Sequence, residues 1–272
     1  MVNIVDETTK RTLPRVLLTL IATLLLAFVI GYIGVSGFGE EPFGVEKASA
    51  QQSATGNQSA LQDLPKMSAA TASNSITYHD NTAKGVAKSV WRHSSNVWAN
   101  LLARAGYDWV DPDLYFVYKD PVKVPYGCGN TQNKVWDPSG GPFYCSRDYG
   151  IYYTVYFKVQ GHYIHHYGDA AVAAIVAHEM GHHVQEMLGI RDAGKLPYLV
   201  ELQADCFAGV EMNNLYWDGA LDEGDLDEAL NIMYAVGDDL PRRDYRHHGT
   251  SAERKQAFYQ GYNTGDPSQC EY

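Results

Sequence analysis

The sequence predicts an α+β domain carried behind a single N-terminal transmembrane helix, on three observations. Residues 16–35 carry no charge. Two β-rich stretches, DLYFVYK (113–119) and GIYYTVYFKV (150–159), come before a long apolar helical pattern. Further segments of helical periodicity follow it, and this order of strands and then helices is that of an α+β domain with a small β-sheet.

Taken in order, Val16 to Val35 is about 20 residues long and as a helix spans roughly 30 Å, the thickness of a hydrocarbon core. Lys10, Arg11 and Arg15 precede it and Glu40, Glu41 and Glu46 follow. The positive-inside bias therefore places the N-terminus in the cytoplasm and the rest outside the cell membrane. The expected divisions are a cytoplasmic tail at 1–14, a transmembrane helix at 15–37, a flexible linker at 38–78 and a folded domain at 79–272. A cleaved signal peptide competes, because Ala48 to Ala50 reads as a small-residue cleavage site. The apolar run is long for that and the site distant, so an uncleaved single-pass anchor is favoured. The linker is rich in Ser, Ala, Gln and Gly without periodicity.

A helix is expected from Thr82 to Arg104, with VWRHSSNVWANLL in its interior. The tyrosines from Tyr152 to Tyr156 are strand packing or an edge that aligns an extended peptide. His162, His165 and His166 form a cluster read as a solvated loop, with an accessory metal site as the alternative.

The next helix begins near Asp169, taken as its cap, and ends at Leu188-Gly189. It contains VAHEMGHHVQ, a His-Glu-x-x-His pattern in which His178 and His182 lie one turn apart and Glu179 stands beside them. Ala171 and Ile175 continue the same stripe, so the histidines lie on a buried face. Two imidazoles and a carboxylate cost several kcal/mol each there if unpaired, and a metal satisfies all three together. This is the pattern of a zinc hydrolase. Gly181 costs about 1 kcal/mol against Ala in a helix interior, which implies close approach of another segment or of substrate. His183 lies about 100° around the helix from His182 and is read as packing or outer support.

Pro197 suits the first turn of a second helix, on which Glu201, Asp205, Ala208 and Met212 form a stripe. Only the eight residues Gly189 to Leu196 join the two helices, which implies an antiparallel pair. At 1.5 Å per residue, His182 lies roughly 9 Å from the end of the first helix and Glu201 roughly 6 Å into the second. Glu201 is thus the candidate third ligand. Asp205, roughly 12 Å along, can accept a proton from the imidazole nitrogen turned away from the metal. Three protein ligands leave zinc open to water, which Glu179 would deprotonate. His248 is the preferred candidate for a donor to the developing oxyanion, with Tyr198 and Tyr245 as alternatives; otherwise His248 orders the turn before a helix capped by Thr250 or Ser251. Helices are also expected at Asp225 to Val236 and Ser251 to Tyr262.

Outside the cytoplasm Cys128, Cys145, Cys206 and Cys270 should be oxidised. Three pairings are open. The preferred one joins Cys128 with Cys145 across a local Gly/Pro-rich loop, and Cys206 with Cys270, pinning the tail to the helix of Glu201. The balance of 21 Lys+Arg against 32 Asp+Glu, a formal charge of -11, argues against nucleic acid as a partner.

VAHEMGHHVQ and ELQADCFAGV, with GCG and GPFYC upstream and HGTSAERKQAFYQGYNTGDPSQC at the end, resemble the bacterial neutral zinc metallopeptidase family. The resemblance runs from about His79 to Tyr272. It implies a membrane-anchored zinc peptidase with a zincin-like fold, a single zinc ion, His178 and His182 as ligands and Glu179 as base. Glu201 as third ligand follows from similarity to the zincins that use a Glu, with an Asp four residues later. Glu211 departs from the family pattern, standing where an aromatic residue is expected. The substrate expected is a protein or peptide outside the membrane. A zinc amidase on cell-wall peptides, or a non-catalytic protein stabilised by its metal, are the alternatives; intact Glu179 counts against the last.

Overall fold

The computed structural model describes residues 59–66, 82–128, 135–191 and 194–272. The expected cytoplasmic tail at 1–14, the expected transmembrane helix at 15–37 and most of the expected linker lie outside the described residues. Among the described residues no helix is long and apolar enough to cross a membrane.

One part of the expected linker is ordered against the domain. Helix α1 (Ser59–Gln62) and the turn after it bury Ala60, Leu61 and Leu64 beside Trp98, Leu101 and Leu102. The stretch is Ala- and Gln-rich, but these small and branched apolar side chains suffice for a hydrophobic foothold. Helix α2 (Ala83–Arg104) starts at the predicted Thr82, whose hydroxyl accepts from the Gly85 amide at 3.1 Å.

The β-rich part is more finely divided than the sequence implies. Strands β1 (Asp113–Val117), β2 (Val122–Lys123), β3 (Val135–Trp136), β4 (Phe143–Cys145), β5 (Gly150–Thr154), β6 (Lys158–Val159) and β7 (His162–Tyr163) form three small sheets. In the largest, the order is β1-β5-β4, with β1 parallel to β5 and β4 antiparallel to it. Every residue of β5 is buried. Tyr152 and Tyr153 therefore belong to a central strand, which excludes the edge reading for these two, whereas Tyr156 lies beyond β5 and is exposed; β4 and β1 are the edges. The disulfides are Cys128–Cys145, which ties a loop to β4, and Cys206–Cys270. His162, His165 and His166 sit exposed on β7 and the following 3-10 turn, and among the described residues they join neither of the groups geometrically able to hold a metal.

Helix α3 (Asp169–Met187) is the axis of the domain. It is buried on all sides from Ala170 to Gln185, as an Ala/Val-rich helix surrounded by other elements must be. Around it pack α2, α4 (Pro197–Trp217), α5 (Asp225–Ala235) and strands β4 and β5. Its cap position is Gly168, not Asp169; Asp169 is the first helical residue, and its carboxylate accepts from the Ala170 amide at 3.1 Å. The acidic residue thus serves the helix dipole from inside the first turn. At the other end Leu188 caps the helix and Gly189 takes φ 66°, as expected. Helix α6 (Ser251–Thr264) begins with a full capping box, in which Thr250 and Glu253 exchange hydrogen bonds. It lies so close to α4 that a Cβ at Gly261 would stand 1.9 Å from the Cys206 carbonyl oxygen.

Candidate metal centre

Two helices bring the predicted group together. Antiparallel packing of α3 on α4 sets Glu201 across from both histidines: Glu201 Oε2 lies 3.3 Å from His178 Nε2, and Oε1 lies 3.5 Å from His182 Nε2. The three groups each offer a ligand atom within 4.8 Å of the others. Gly181 makes this approach feasible, because a Cβ there would lie 2.8 Å from the Ala204 carbonyl oxygen.

The outward nitrogens fix how the rings face. His178 Nδ1 donates to Asp205 Oδ1 at 2.7 Å, the role predicted for Asp205. His182 Nδ1 donates to Gln185 Oε1 at 2.9 Å, and the Gln185 amide is held in turn by donating to the Val200 carbonyl at 2.8 Å. Both rings therefore present Nε2, as a lone pair in the neutral form, to the same point.

Behind Asp205 stands Arg254 of α6. Its Nε and Nη2 donate to Oδ2 and Oδ1 of Asp205 at 2.8 and 2.7 Å, and both side chains are buried. Burial alone would push the Asp205 carboxyl up, but Arg254 and His178 outweigh it and hold it below the usual range. Likewise Glu201 is pushed up by burial, yet His182 and His178 hold it well below its ordinary value. His178 is raised: burial opposes its protonation, but Asp205 and then Glu201 prevail.

Sequence reasoning missed Arg254 and Gln185. Gln185 was accessible, since it lies three residues after His182 on the same helix and can reach its ring. Arg254 left no local signal beyond the fact that a buried carboxylate with two oxygens needs more donors than one imidazole supplies.

Glu179 and the three metal-competent groups line a cavity of about 360 Å³, with Tyr144 and Phe143 of β4, His248, Arg191 and Arg254 among its walls. His248 is half exposed, and its Nδ1 is 3.4 Å from Asp238 Oδ2. Of the other two predicted donors, Tyr198 is buried against His247 and Tyr245 is 70% exposed, and neither lines the cavity. His183 is the supporting residue expected. Its Nδ1 accepts from the Tyr144 hydroxyl at 2.9 Å and its Nε2 donates to the Val110 carbonyl at 2.7 Å, with burial depressing its pKa to about 4. Glu211, the departure from the family pattern, is buried and paired with His93 at 2.6 Å.

A second acidic group, Asp169, Asp225 and Glu228, also gathers within 4.8 Å. All three carboxylates are engaged with backbone amides, Asp169 and Glu228 with that of Ala170 at 3.1 and 3.2 Å and Asp225 with that of Asp222 at 2.7 Å, and serve as helix and turn caps.

The donor set fits zinc. Two imidazole nitrogens and one carboxylate oxygen are a ligand set of catalytic zinc, which keeps a position open. Glu179, Glu201 and Asp205 bring three carboxylates to this region, of which Arg254 satisfies only Asp205, and a divalent cation held between Glu201 and the imidazoles would offset negative charge there.

An α+β domain with this centre belongs to the class of metal-dependent hydrolases with a His-Glu-x-x-His helix. The chain is a member of the family described as putative neutral zinc metallopeptidase, whose model matches residues 18–272. It is 32% identical over 218 residues to the uncharacterised protein YpfJ of Escherichia coli (strain K12), covering 72% of this chain and 73% of the other. It is 33% identical over 180 residues to the uncharacterised protein Rv2575 of Mycobacterium tuberculosis (strain H37Rv), covering 55% and 59%. No solved structure matches. The family makes the protein a zinc peptidase in kind and implies a protein or peptide substrate.

Proposed function

We propose that the chain is a membrane-anchored zinc endopeptidase that cleaves proteins or peptides outside the cell membrane. His178 Nε2, His182 Nε2 and Glu201 would hold one zinc ion. Zinc bound there would polarise a scissile carbonyl and acidify water. Glu179 serves as general base and then returns the proton to the leaving amine, a role suited to a carboxylate that shares the cavity with the ligand group and lies off their stripe. Asp205 and Gln185 orient the two rings, and Arg254 keeps Asp205 ionised. His248, on the cavity wall, is the candidate donor to the oxyanion. The uncharged stretch 16–35, with basic residues before it and acidic ones after, supports a single-pass anchor with the domain outside.

The observation that carries this reading is the convergence of two imidazoles and a carboxylate within 4.8 Å in a cavity that Glu179 also lines. The test is a pair of variants assayed on a peptide panel with metal analysis alongside. Glu179→Gln should keep its zinc and lose hydrolysis by at least ~100-fold, whereas His178→Ala should lose both. Full activity in Glu179→Gln would overturn the assignment.

A further inference from the structure

Two guanidinium groups line the cavity that holds Glu179 and the histidines, and they are in opposite situations. Arg254 is saturated by Asp205. Arg191 forms no ion pair among the described residues, and its Nη1 has no exposed surface and no hydrogen-bond acceptor. Among the described residues its contact is with the Tyr144 ring, whose centroid lies 5.3 Å from Cζ. That contact restrains the guanidinium but gives its N–H groups nothing to bond, and a buried donor left without an acceptor costs free energy. The chain carries a net charge of -11, yet among the described residues no carboxylate pairs with this cation.

The neighbouring acids do not meet the need. Glu201 faces the histidines and Asp205 is taken up by Arg254. Glu179 is the base of the proposed reaction. A planar fork of donors fixed on an aromatic ring in a cavity wall is suited to a carboxylate held by two parallel hydrogen bonds.

Resting on the peptidase reading above, we infer that Arg191 is a specificity residue that binds a carboxylate of the substrate. The shared chemistry has two sources, the C-terminal carboxylate of a peptide or the side chain of an internal Glu or Asp. Leu188, at the end of α3, lies about 9 Å along the axis from His182. An extended peptide rises about 3.3 Å per residue. Arg191 and Glu179 line the same cavity, so the carboxylate falls within a few residues of the cleaved bond. Arg191 makes and breaks no bond; it selects which peptides lie productively beside Glu179.

The test uses the full chain loaded with zinc and two pairs of otherwise identical peptides. One pair differs in a free or amidated C-terminus, the other in Glu or Gln at positions near the cleaved bond. The carboxylate member of at least one pair should be favoured ~10- to 100-fold in kcat/KM, and the pair that shows it names the source. In Arg191→Gln that ratio should fall to within about 3-fold of unity, while Arg191→Lys, a point charge without the fork, should retain part of it. Reading ratios keeps any general loss of activity out of the comparison. A ratio near unity for both pairs in the unaltered chain, or one unchanged by Arg191→Gln, overturns the inference. A second arm measures binding of the same peptides, fluorescently labelled, to the Glu179→Gln chain by anisotropy. A carboxylate preference that disappears when Arg191→Gln is added supports the inference even without turnover, in which case only the peptidase reading fails. Equal binding of both members of both pairs overturns the inference itself.

Discussion

Replacing Asp205 with Asn tests the support of the metal centre most directly. The native carboxylate is completely buried and accepts from His178 Nδ1 at 2.7 Å and from Arg254 at 2.8 and 2.7 Å. Asparagine has nearly the same shape but only one acceptor oxygen. Whichever way its amide turns, an NH2 faces either the guanidinium or the imidazole N–H, and Arg254, 4% exposed, loses its counter-charge. Removing one member of a buried ion pair costs about 3–5 kcal/mol. At roughly 2–4 °C per kcal/mol for a domain of this size, the melting temperature of the metal-free chain should fall by roughly 6–20 °C. Zinc affinity should fall ~10- to 100-fold, because the tautomer and orientation of His178 are no longer held. The Arg254→Met variant supplies the control. Once the cation is gone, Asp205→Asn should cost less than it does alone, so the double variant should be more stable than the sum of the singles by about 1–3 kcal/mol in urea unfolding. Additive losses, or a single Asp205→Asn variant that melts with its parent, would refute the claim that these two side chains form one buried unit.

Gly181→Ala places a methyl 2.8 Å from the Ala204 carbonyl oxygen, and the overpacking cost of about 1–3 kcal/mol exceeds or cancels the gain of about 1 kcal/mol in helix propensity. Because the α3–α4 spacing sets the distances from Glu201 to the histidines, zinc binding in equilibrium dialysis should weaken at least ~10-fold; parental affinity would contradict the spacing argument. His183 is buried in its neutral form and its pKa is depressed to about 4, against about 6.5 in an unfolded chain. Its contribution is therefore present above about pH 6.5 and lost as pH falls toward about 4, by up to about 3 kcal/mol. Urea midpoints at pH 7, 5 and 4 should fall more steeply for the parent than for His183→Gln, and equal slopes would exclude this residue as the source. The Cys206–Cys270 bond spans 64 residues, for which the loop-entropy account gives about 4 kcal/mol, so the Cys206→Ser/Cys270→Ser variant should unfold at markedly lower denaturant. A midpoint unchanged from the parent would show that the tail is held by packing alone.

The helix pair was legible because each helix carries its function in its own periodicity. His178 and His182 one turn apart, and Glu201 and Asp205 four apart across a short loop, fix their mutual heights from helix rise alone. Thr250 was legible as a cap, and Thr82 as the start of its helix, for the same local reason. What escaped was set by contacts distant in sequence. The parallel pairing of β1 with β5 joins residues far apart in the chain, and β4 is only three residues long, too short for an alternating pattern. The docking of Leu61 and Leu64 lies in a segment whose composition reads as linker, and only the apolar surface around Trp98 gives those side chains somewhere to go. Asp169 has the chemistry of a cap, but Gly168 takes φ 114° and occupies the position, so the carboxylate works one residue further in.

Arg254 shows why the centre is a property of three helices. Helix α3 alone would hold only the His182 ring, through Gln185, and α4 adds the carboxylates that face both imidazoles. A buried Asp205 remains a carboxylate only while a cation compensates its desolvation, and that cation arrives on α6. The approach of α6 to α4 depends in turn on Gly261 lying against the Cys206 carbonyl, and Cys206 is bonded to Cys270 beyond the end of α6. The Gln203 amide donates to the Cys270 carbonyl at 2.7 Å and its oxygen accepts from Gln185, which holds His182. The C-terminal segment thus reaches both ligand imidazoles, His178 through Arg254 and Asp205, and His182 through Gln203 and Gln185. Loosening of the tail would therefore release the orientation of the two rings before it opened the core packed around α3.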